Sequence, residues 1–207
     1  MASQEAMRDH WWWRPGWRVG QKMYTWHITF DGQESLYELV AAYQSAVARL
    51  PGLDLIPPRW LHLTMQGVGF IHEITEHDVR SIVDAARSRC ASLAPFELTF
   101  GAPKVDPEAI MFALHPAEPA QALRKQIRAA IADVWGTERI PEAEQWSPHV
   151  SIAYSNAPGS AEPYTTALSR VDVKPATLLV PKVELIILNR DNKMYEWETF
   201  AAVALGG

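Results

Sequence analysis

Residues 60–66 read Trp-Leu-His-Leu-Thr-Met-Gln, and residues 147–154 read Ser-Pro-His-Val-Ser-Ile-Ala-Tyr. In both stretches apolar and polar side chains alternate around the histidine, which is the pattern of a β-strand with one buried face. The alternation puts the histidine and the hydroxyl residue two positions later on the same face, opposite the apolar residues. The sequence therefore predicts two strands that each present a histidine and a hydroxyl group to a common space.

The two pairs, His62 with Thr64 and His149 with Ser151, contain the groups that an in-line displacement at phosphorus needs. One group takes the proton from the entering oxygen and another protonates the leaving oxygen. Histidine can do either, because its ordinary pKa of about 6.5 is close to neutrality. The hydroxyl groups can donate hydrogen bonds to the non-bridging phosphate oxygens. One His-x-Thr motif arises by chance, but two in matching apolar strands 87 residues apart are far more specific.

Hydrophobic periodicity along the rest of the chain predicts a mixture of helices and strands. Helices are predicted over residues 34–50, 75–92, 120–135 and 162–169, and strands over residues 24–30, 60–70, 96–101, 109–115, 145–154, 177–189 and 194–203. The last two strands are expected to form a hairpin. No linker divides the chain, so we expect one bilobal α+β domain over residues 1–207, with a Trp-rich extension at residues 1–22.

Charge and hydropathy limit the partners of the protein. The net charge is −5 and the pI is about 5.8. Proteins that hold long duplex nucleic acids usually carry a basic surface, so we expect instead a nucleotide or a short RNA end as substrate. The chain has no apolar run of roughly eighteen residues, and its start lacks the basic and apolar segments of a signal peptide. We therefore expect no membrane span and a cytoplasmic location.

Four tryptophans lie between residues 11 and 17, and Pro15-Gly16 among them marks a turn. The favoured interpretation is an aromatic plug that packs across the open edge of a sheet. The alternative is a surface on which a base stacks.

Leu61-His62-Leu63-Thr64-Met65 and Pro148-His149-Val150-Ser151-Ile152 resemble the paired His-x-Thr/Ser signatures of the two-histidine phosphoesterase superfamily, the LigT-like proteins. The proline before the second histidine is also typical of that family. The resemblance extends from about Met23 to Leu205. It implies a bilobal fold of two antiparallel-rich sheets with outer helices around a central groove, across which the motifs face each other. It also implies hydrolysis of 2′,3′-cyclic phosphates, 2′-5′ RNA ligation or trimming of RNA ends, with no metal or other cofactor.

On this resemblance His62 and His149 are the acid–base pair, and Thr64 and Ser151 bind the phosphate. Which histidine is the base stays open, since a near-symmetric site can exchange the two roles between the forward and reverse reactions. Gln66 departs from the apolar residues that the family more often has there. It falls on the same predicted face as His62 and Thr64, so we expect it to line the groove.

A third motif, His27-Ile28-Thr29, lies 35 residues before His62. That separation is too short for a partner motif in a duplicated half, so His27 is interpreted either as a strand residue beside the site or as an accessory residue that lines the groove. A zinc site built from the histidines is the metal alternative. It is disfavoured because none of them has a tight ligand spacing such as His-Glu-x-x-His. A serine hydrolase is also disfavoured, because the chain has no Gly-x-Ser-x-Gly elbow.

The sequence therefore predicts a metal-independent phosphodiesterase that acts on a 2′,3′-cyclic phosphate or a 2′-5′ linked nucleotide or RNA end. The alternative from another class is a binding module that recognises a nucleotide or RNA end without turning it over.

Overall fold

The computed structural model describes residues 6–141 and 146–206. Its strands are β1 (Ala6–Met7), β2 (Met23–Thr29), β3 (Leu53–Leu55), β4 (His62–Phe70), β5 (Phe96–Phe100), β6 (Lys104–Asp106), β7 (Ala109–Ala113), β8 (His149–Ser155), β9 (Gly159–Ser160), β10 (Ala176–Val180), β11 (Lys182–Asn189) and β12 (Glu196–Ala204). Its α-helices are α1 (Glu34–Val47), α2 (Glu76–Cys90), α3 (Glu118–Trp135) and α4 (Glu162–Leu168). The predicted α+β class with antiparallel strands is confirmed.

The helices form where the apolar spacing predicts them. On α1 the buried side chains recur at helical spacing; they are Leu36, Leu39, Val40, Tyr43 and Val47. On α2 the Thr75 hydroxyl accepts a hydrogen bond from the Asp78 backbone N–H at 3.1 Å, which satisfies one of the free donors at the helix start. Acidic residues lie in the first turn of α2 and arginines in its last turn, where these charges interact favourably with the helix dipole.

One large sheet carries the fold. Its strands follow the order β12-β11-β2-β4-β8-β7-β6, and β3 pairs with β8 beside this path. All of these pairings are antiparallel. The two motif strands, β4 and β8, meet at one pair, Leu63 with Val150, so the sheet consists of two antiparallel halves joined at the motifs.

The predicted strand over residues 177–189 is wrong as a single element. It is two strands, β10 and β11, which are separated by Pro181 and belong to different sheets. β10 pairs only with β5 in a separate two-stranded sheet, whereas β11 lies between β2 and β12. Proline has no backbone N–H to give to a ladder, so the chain leaves one sheet at this residue and enters the other.

Further differences lie outside the regular periodic segments. The structure adds β3 and β6 in stretches where no strand is predicted, and a 3₁₀ turn at Pro58–Trp60. The predicted strand over residues 145–154 begins at His149 in the structure, and its predicted first residue, Gln145, lies outside the described residues. Strands of three residues carry too little alternation to be recognised in a sequence.

A single cluster of buried apolar side chains connects the helices with the sheet. Trp26, Ile28, Leu63 and Val150 belong to it and are at most 1 % exposed. In the described part of the chain, none of the helices is both long and apolar enough to cross a bilayer. The two histidine motifs lie on the face of the large sheet opposite this core.

Candidate active site

A pocket of about 490 Å³ lies over the join between the two halves of the sheet. Both histidine motifs open into it. The side chains that line it from the strands are Met23, Thr25, His27, His62, Thr64, Lys104, Asp106, Ala109, Met111, His149, Ser151, Tyr154 and Leu188. The structure therefore brings all four predicted motif residues to one cavity.

The register at the join explains how the motifs meet. Because Leu63 pairs with Val150 in an antiparallel sense, the register sets His62 across from Ser151 and Thr64 across from His149. Each histidine thus lies across from the hydroxyl residue of the other motif. A phosphate at the join would have an imidazole and a hydroxyl group from each strand within the same small space.

Both histidine rings are held in the same way. Nδ1 of His62 lies 2.8 Å from the carbonyl oxygen of Trp60, and Nδ1 of His149 lies 2.8 Å from the carbonyl oxygen of Ser147. A carbonyl oxygen can only accept, so Nδ1 must carry the proton in both rings. In the neutral rings Nε2 then remains as the proton acceptor in the pocket.

The two histidines differ in their burial. His62 is 9 % exposed, whereas His149 is partly exposed to solvent. The pKa of His62 is lowered to about 4, mainly by burial and in part by the charge of His149, while the hydrogen bond to Trp60 opposes the shift. At neutral pH the His62 imidazole is therefore uncharged and able to accept a proton.

His27 lies on β2 beside the first motif, across from Thr64, and is among the residues that line the pocket. Its ring stacks on that of His62, with the centroids 4.4 Å apart and the planes 5° from parallel. Its Nε2 lies 3.3 Å from the Thr64 hydroxyl oxygen. Burial lowers the pKa of His27 well below its ordinary value, and the neighbouring His62 acts in the same direction. A neutral His27 thus supports both residues of the motif from the neighbouring strand.

Gln66 does not lie where the sequence predicts it. A bulge in β4 makes His27 pair with Thr64 but Trp26 pair with Gln66, so Met65 is an extra residue. A bulge of one residue reverses the alternation beyond it. Gln66 consequently points away from the pocket and is 3 % exposed.

Side chains from α3 hold Gln66 in that position. Its Oε1 accepts hydrogen bonds from Arg124 at 3.1 Å and from Arg128 at 2.7 Å. Its Nε2 donates to the carbonyl oxygen of Pro141 at 2.7 Å. The expectation that Gln66 lines the groove is therefore corrected: its side chain connects β4 to α3.

The N-terminal residues 8–20, which we call the strap, contribute three residues to the pocket lining. His10, Arg14 and Trp17 form part of its wall, and His10 Nε2 lies 3.0 Å from the hydroxyl oxygen of Tyr195, another lining residue. The predicted plug across a sheet edge is therefore corrected. The four tryptophans distinguish this segment in the sequence, but the segment has no hydrophobic periodicity that would predict where it packs.

Within residues 6–141 and 146–206, no three side chains of His, Cys, Asp or Glu are grouped in a way that could hold a metal ion.

Comparisons with known proteins agree with this geometry. The family model described as the 2′-5′ RNA ligase superfamily matches residues 32–192, which include both motifs. No curated protein sequence matches the chain.

Several solved structures share the fold. TT0787 of Thermus thermophilus is 21 % identical, with a TM-score of 0.68, over 90 % of this chain and 98 % of that one. E. coli LigT complexed with 3′-AMP is 12 % identical, with a TM-score of 0.64, over 90 % of this chain and 99 % of LigT. The MHV ns2 PDE domain is 10 % identical, with a TM-score of 0.58, over 81 % of this chain and 99 % of that domain. At these identities the similarity shows the fold.

Proposed function

The chain belongs to the 2′-5′ RNA ligase superfamily of two-histidine phosphoesterases, and we propose that it is a metal-independent phosphodiesterase that opens a 2′,3′-cyclic phosphate or cleaves a related 2′-linked phosphodiester. The observation that carries the proposal is the matched presentation of His62 and His149. Both rings are fixed through Nδ1, and both line one pocket beside a hydroxyl residue of each motif.

The reaction needs one bond to form at phosphorus and one to break. A water oxygen attacks the phosphorus while a histidine Nε2 takes its proton. The bond from phosphorus to the 2′ or 3′ oxygen breaks, and the second histidine, in its protonated form, gives that oxygen a proton. The products are a phosphomonoester and a free hydroxyl group. Neither the base nor the acid needs a metal ion for these steps.

We assign the base to His62 and the acid to His149 for the hydrolytic direction. His62 is the more buried of the two, so its neutral form is favoured and it is ready to accept a proton from water. His149 is more exposed, and solvent can supply the proton that it gives to the leaving oxygen. In the reverse direction, ligation, the two roles exchange.

Thr64 and Ser151 are assigned to the non-bridging phosphate oxygens. The Thr64 side chain is exposed to the pocket, and its hydroxyl oxygen lies 3.3 Å from His27. If the Thr64 hydroxyl donates to His27 Nε2, it must turn toward the phosphate when substrate enters. If His27 Nε2 carries the proton, His27 donates to the Thr64 oxygen, and the hydroxyl proton is available to the phosphate.

Nucleotide recognition is part of the proposal. E. coli LigT, which shares the fold, has been solved with 3′-AMP and with ATP. The present pocket combines polar groups at the motifs with aromatic side chains at Trp17, Tyr154 and Tyr195, which suits a ligand with a phosphate and a base.

Hydrolysis of the four nucleoside 2′,3′-cyclic monophosphates in the presence of EDTA tests this function. We expect turnover to a single phosphomonoester isomer, and the isomer identifies the leaving oxygen. A protein that binds these nucleotides but yields no product after long incubation would contradict the catalytic proposal and favour the binding module.

A further inference from the structure

The strap crosses the pocket between hairpins that lie at opposite ends of the large sheet. At one end, Glu108 in the turn between β6 and β7 accepts from Arg8 at 2.9 Å and from Arg14 at 3.0 Å. At the other end, just after β11, Arg190 donates to the carbonyl oxygens of His10 at 3.3 Å and Trp12 at 3.2 Å. The strap therefore connects the two halves of the sheet above their join.

Additional contacts fix the middle and the far end of the strap. Trp11 is buried and its indole N–H donates to Asp54 on β3 at 2.8 Å. The Gly20 backbone N–H donates to Asp191 at 3.1 Å. Gly16 has a φ of +81°, and a Cβ at that position would lie 2.5 Å from the ring of Phe70, so only glycine allows this close approach. These contacts hold the strap in place as part of the pocket wall.

The strap changes what the pocket can accept. It places His10, Arg14 and Trp17 opposite the motif strands, in a cavity of about 490 Å³. That volume lies in the range of small-molecule sites. A longer chain that continued past this wall would have to displace a segment held at both ends.

The charges of the lining also favour a small ligand. The fixed cations among the described lining residues are Arg14 and Lys104, and they are matched by the carboxylates Asp106 and Glu108. The lining as a whole therefore has no fixed positive excess, and the whole chain carries −5. Affinity for a polynucleotide depends on neutralising several phosphates, which this surface does not offer. Binding of a single phosphate at His62 and His149 does not require an excess of positive charge.

We propose that the strap restricts the pocket to a single nucleotide, with Arg14 and Trp17 contacting the part of the ligand that lies away from the reacting phosphate. The inference rests on the proposed function for the identity of the ligand as a nucleotide phosphate. The strap lies before the residues that match the family model, so this restriction belongs to the chain's own N-terminal segment and not to the shared motifs. Arg14 suits this role because its side chain is 38 % exposed although it contacts Glu108.

Titration calorimetry with nucleoside 3′-monophosphates and with trinucleotides that end in the same 3′-phosphate tests the restriction. We expect the trinucleotide to bind at least about tenfold more weakly than the mononucleotide. Arg14→Ala should weaken mononucleotide binding about tenfold, since it removes a charged donor. Arg49→Ala is the control, because Arg49 is exposed and lies outside both the strap and the pocket lining, and it should leave the affinity unchanged.

Gly16→Ala supplies a third variant, because it disturbs the strap without altering a lining residue. We expect it to reduce the difference in affinity between the mononucleotide and the trinucleotide. A thermal unfolding curve confirms that the variant is folded. Equal affinities of the wild type for mononucleotide and trinucleotide, or equal effects of the two arginine variants, would overturn the inference. The binding measurements do not depend on turnover. A single-nucleotide preference without hydrolysis would therefore refute the proposed function alone, and hydrolysis with equal affinities would refute the strap's role alone.

Discussion

The imidazole rings of His62 and His149 are held by the same contact, an Nδ1 hydrogen bond of 2.8 Å to the carbonyl oxygen of the residue two positions earlier. Strand alternation alone does not fix a ring tautomer; this contact does, because the carbonyl oxygen requires a proton on Nδ1. The same atom, Nε2, is thereby left for chemistry on both sides of the pocket. The equivalence of the two rings is what makes an acid–base pair credible here, since either can hold or release a proton through Nε2.

The hydroxyl residues of the motifs should contribute to turnover but less than the histidines. We expect Thr64→Val and Ser151→Ala each to lower kcat/KM by about ten- to a hundredfold, because each removes one donor to the phosphate oxygens. The exposed Thr166→Val on α4 is a matched control and should have no effect. Steady-state kinetics on the preferred cyclic nucleotide would show the difference. Activity equal to wild type in both motif variants would remove these residues from the phosphate site.

The pH dependence of kcat/KM should reveal the burial of His62. Its pKa of about 4 means that the free enzyme keeps a neutral base from neutral pH down to about pH 4. We therefore expect the acidic limb of the profile to fall near pH 4. An acidic limb centred near 6.5, the ordinary value for histidine, would contradict the assignment of His62 as the base.

The same shift predicts how stability changes with pH. The folded state holds His62 with a pKa of about 4, whereas the unfolded state has the ordinary value of 6.5, so the unfolded chain binds more protons between those limits. The free energy of unfolding should therefore fall as the pH is lowered from 6.5 to about 4, by on the order of 3 kcal/mol from this residue. His27 and His10, whose pKa values burial also lowers, act in the same direction.

Urea unfolding at several pH values measures this loss. His62→Gln should lose less stability than the wild type between pH 6.5 and pH 4, because one of the buried groups that must be protonated is gone. An identical pH dependence in the two proteins would show that His62 is not held neutral by burial.

His27 should be a positioning residue. His27→Phe keeps a ring stacked on His62 but removes the contact with Thr64, so we expect kcat to fall about tenfold. The Nδ1 of His27 is buried and has no hydrogen-bond partner among the described residues. Its replacement should therefore leave the free energy of unfolding unchanged or raise it by up to about 1 kcal/mol.

Kinetics and urea unfolding of the same preparation separate the outcomes. Unchanged kcat would mean that His27 is only a packing residue. A loss as large as that of a motif histidine would instead place His27 among the catalytic residues.

The motif strands were predictable because period-two alternation is a local property. The faces of His62, Thr64, His149 and Ser151 follow from it directly, and the structure gathers all four in one pocket. Gln66 was misplaced because the bulge at Met65 depends on pairing with β2, and nothing in β4 itself indicates an extra residue. The break at Pro181 was readable in principle, since proline is disfavoured inside a central strand.

The strap shows a different limit. Its position is set by distant partners, Glu108 and Arg190, which lie 94 and 180 residues away from Arg14 and His10. Such long-range contacts leave no periodic trace. Composition could indicate only that four tryptophans near one turn needed a place to pack.

The central claim, two histidines that cleave a phosphodiester without a metal, is tested most directly by turnover in EDTA. Hydrolysis of a nucleoside 2′,3′-cyclic monophosphate should be unaffected by EDTA in the wild type. It should fall by about 10²–10⁴ in both His62→Ala and His149→Ala, and His77→Ala, an exposed histidine on α2, should keep full activity. Activity that EDTA abolishes, or that survives in either motif variant, would contradict the two-histidine mechanism.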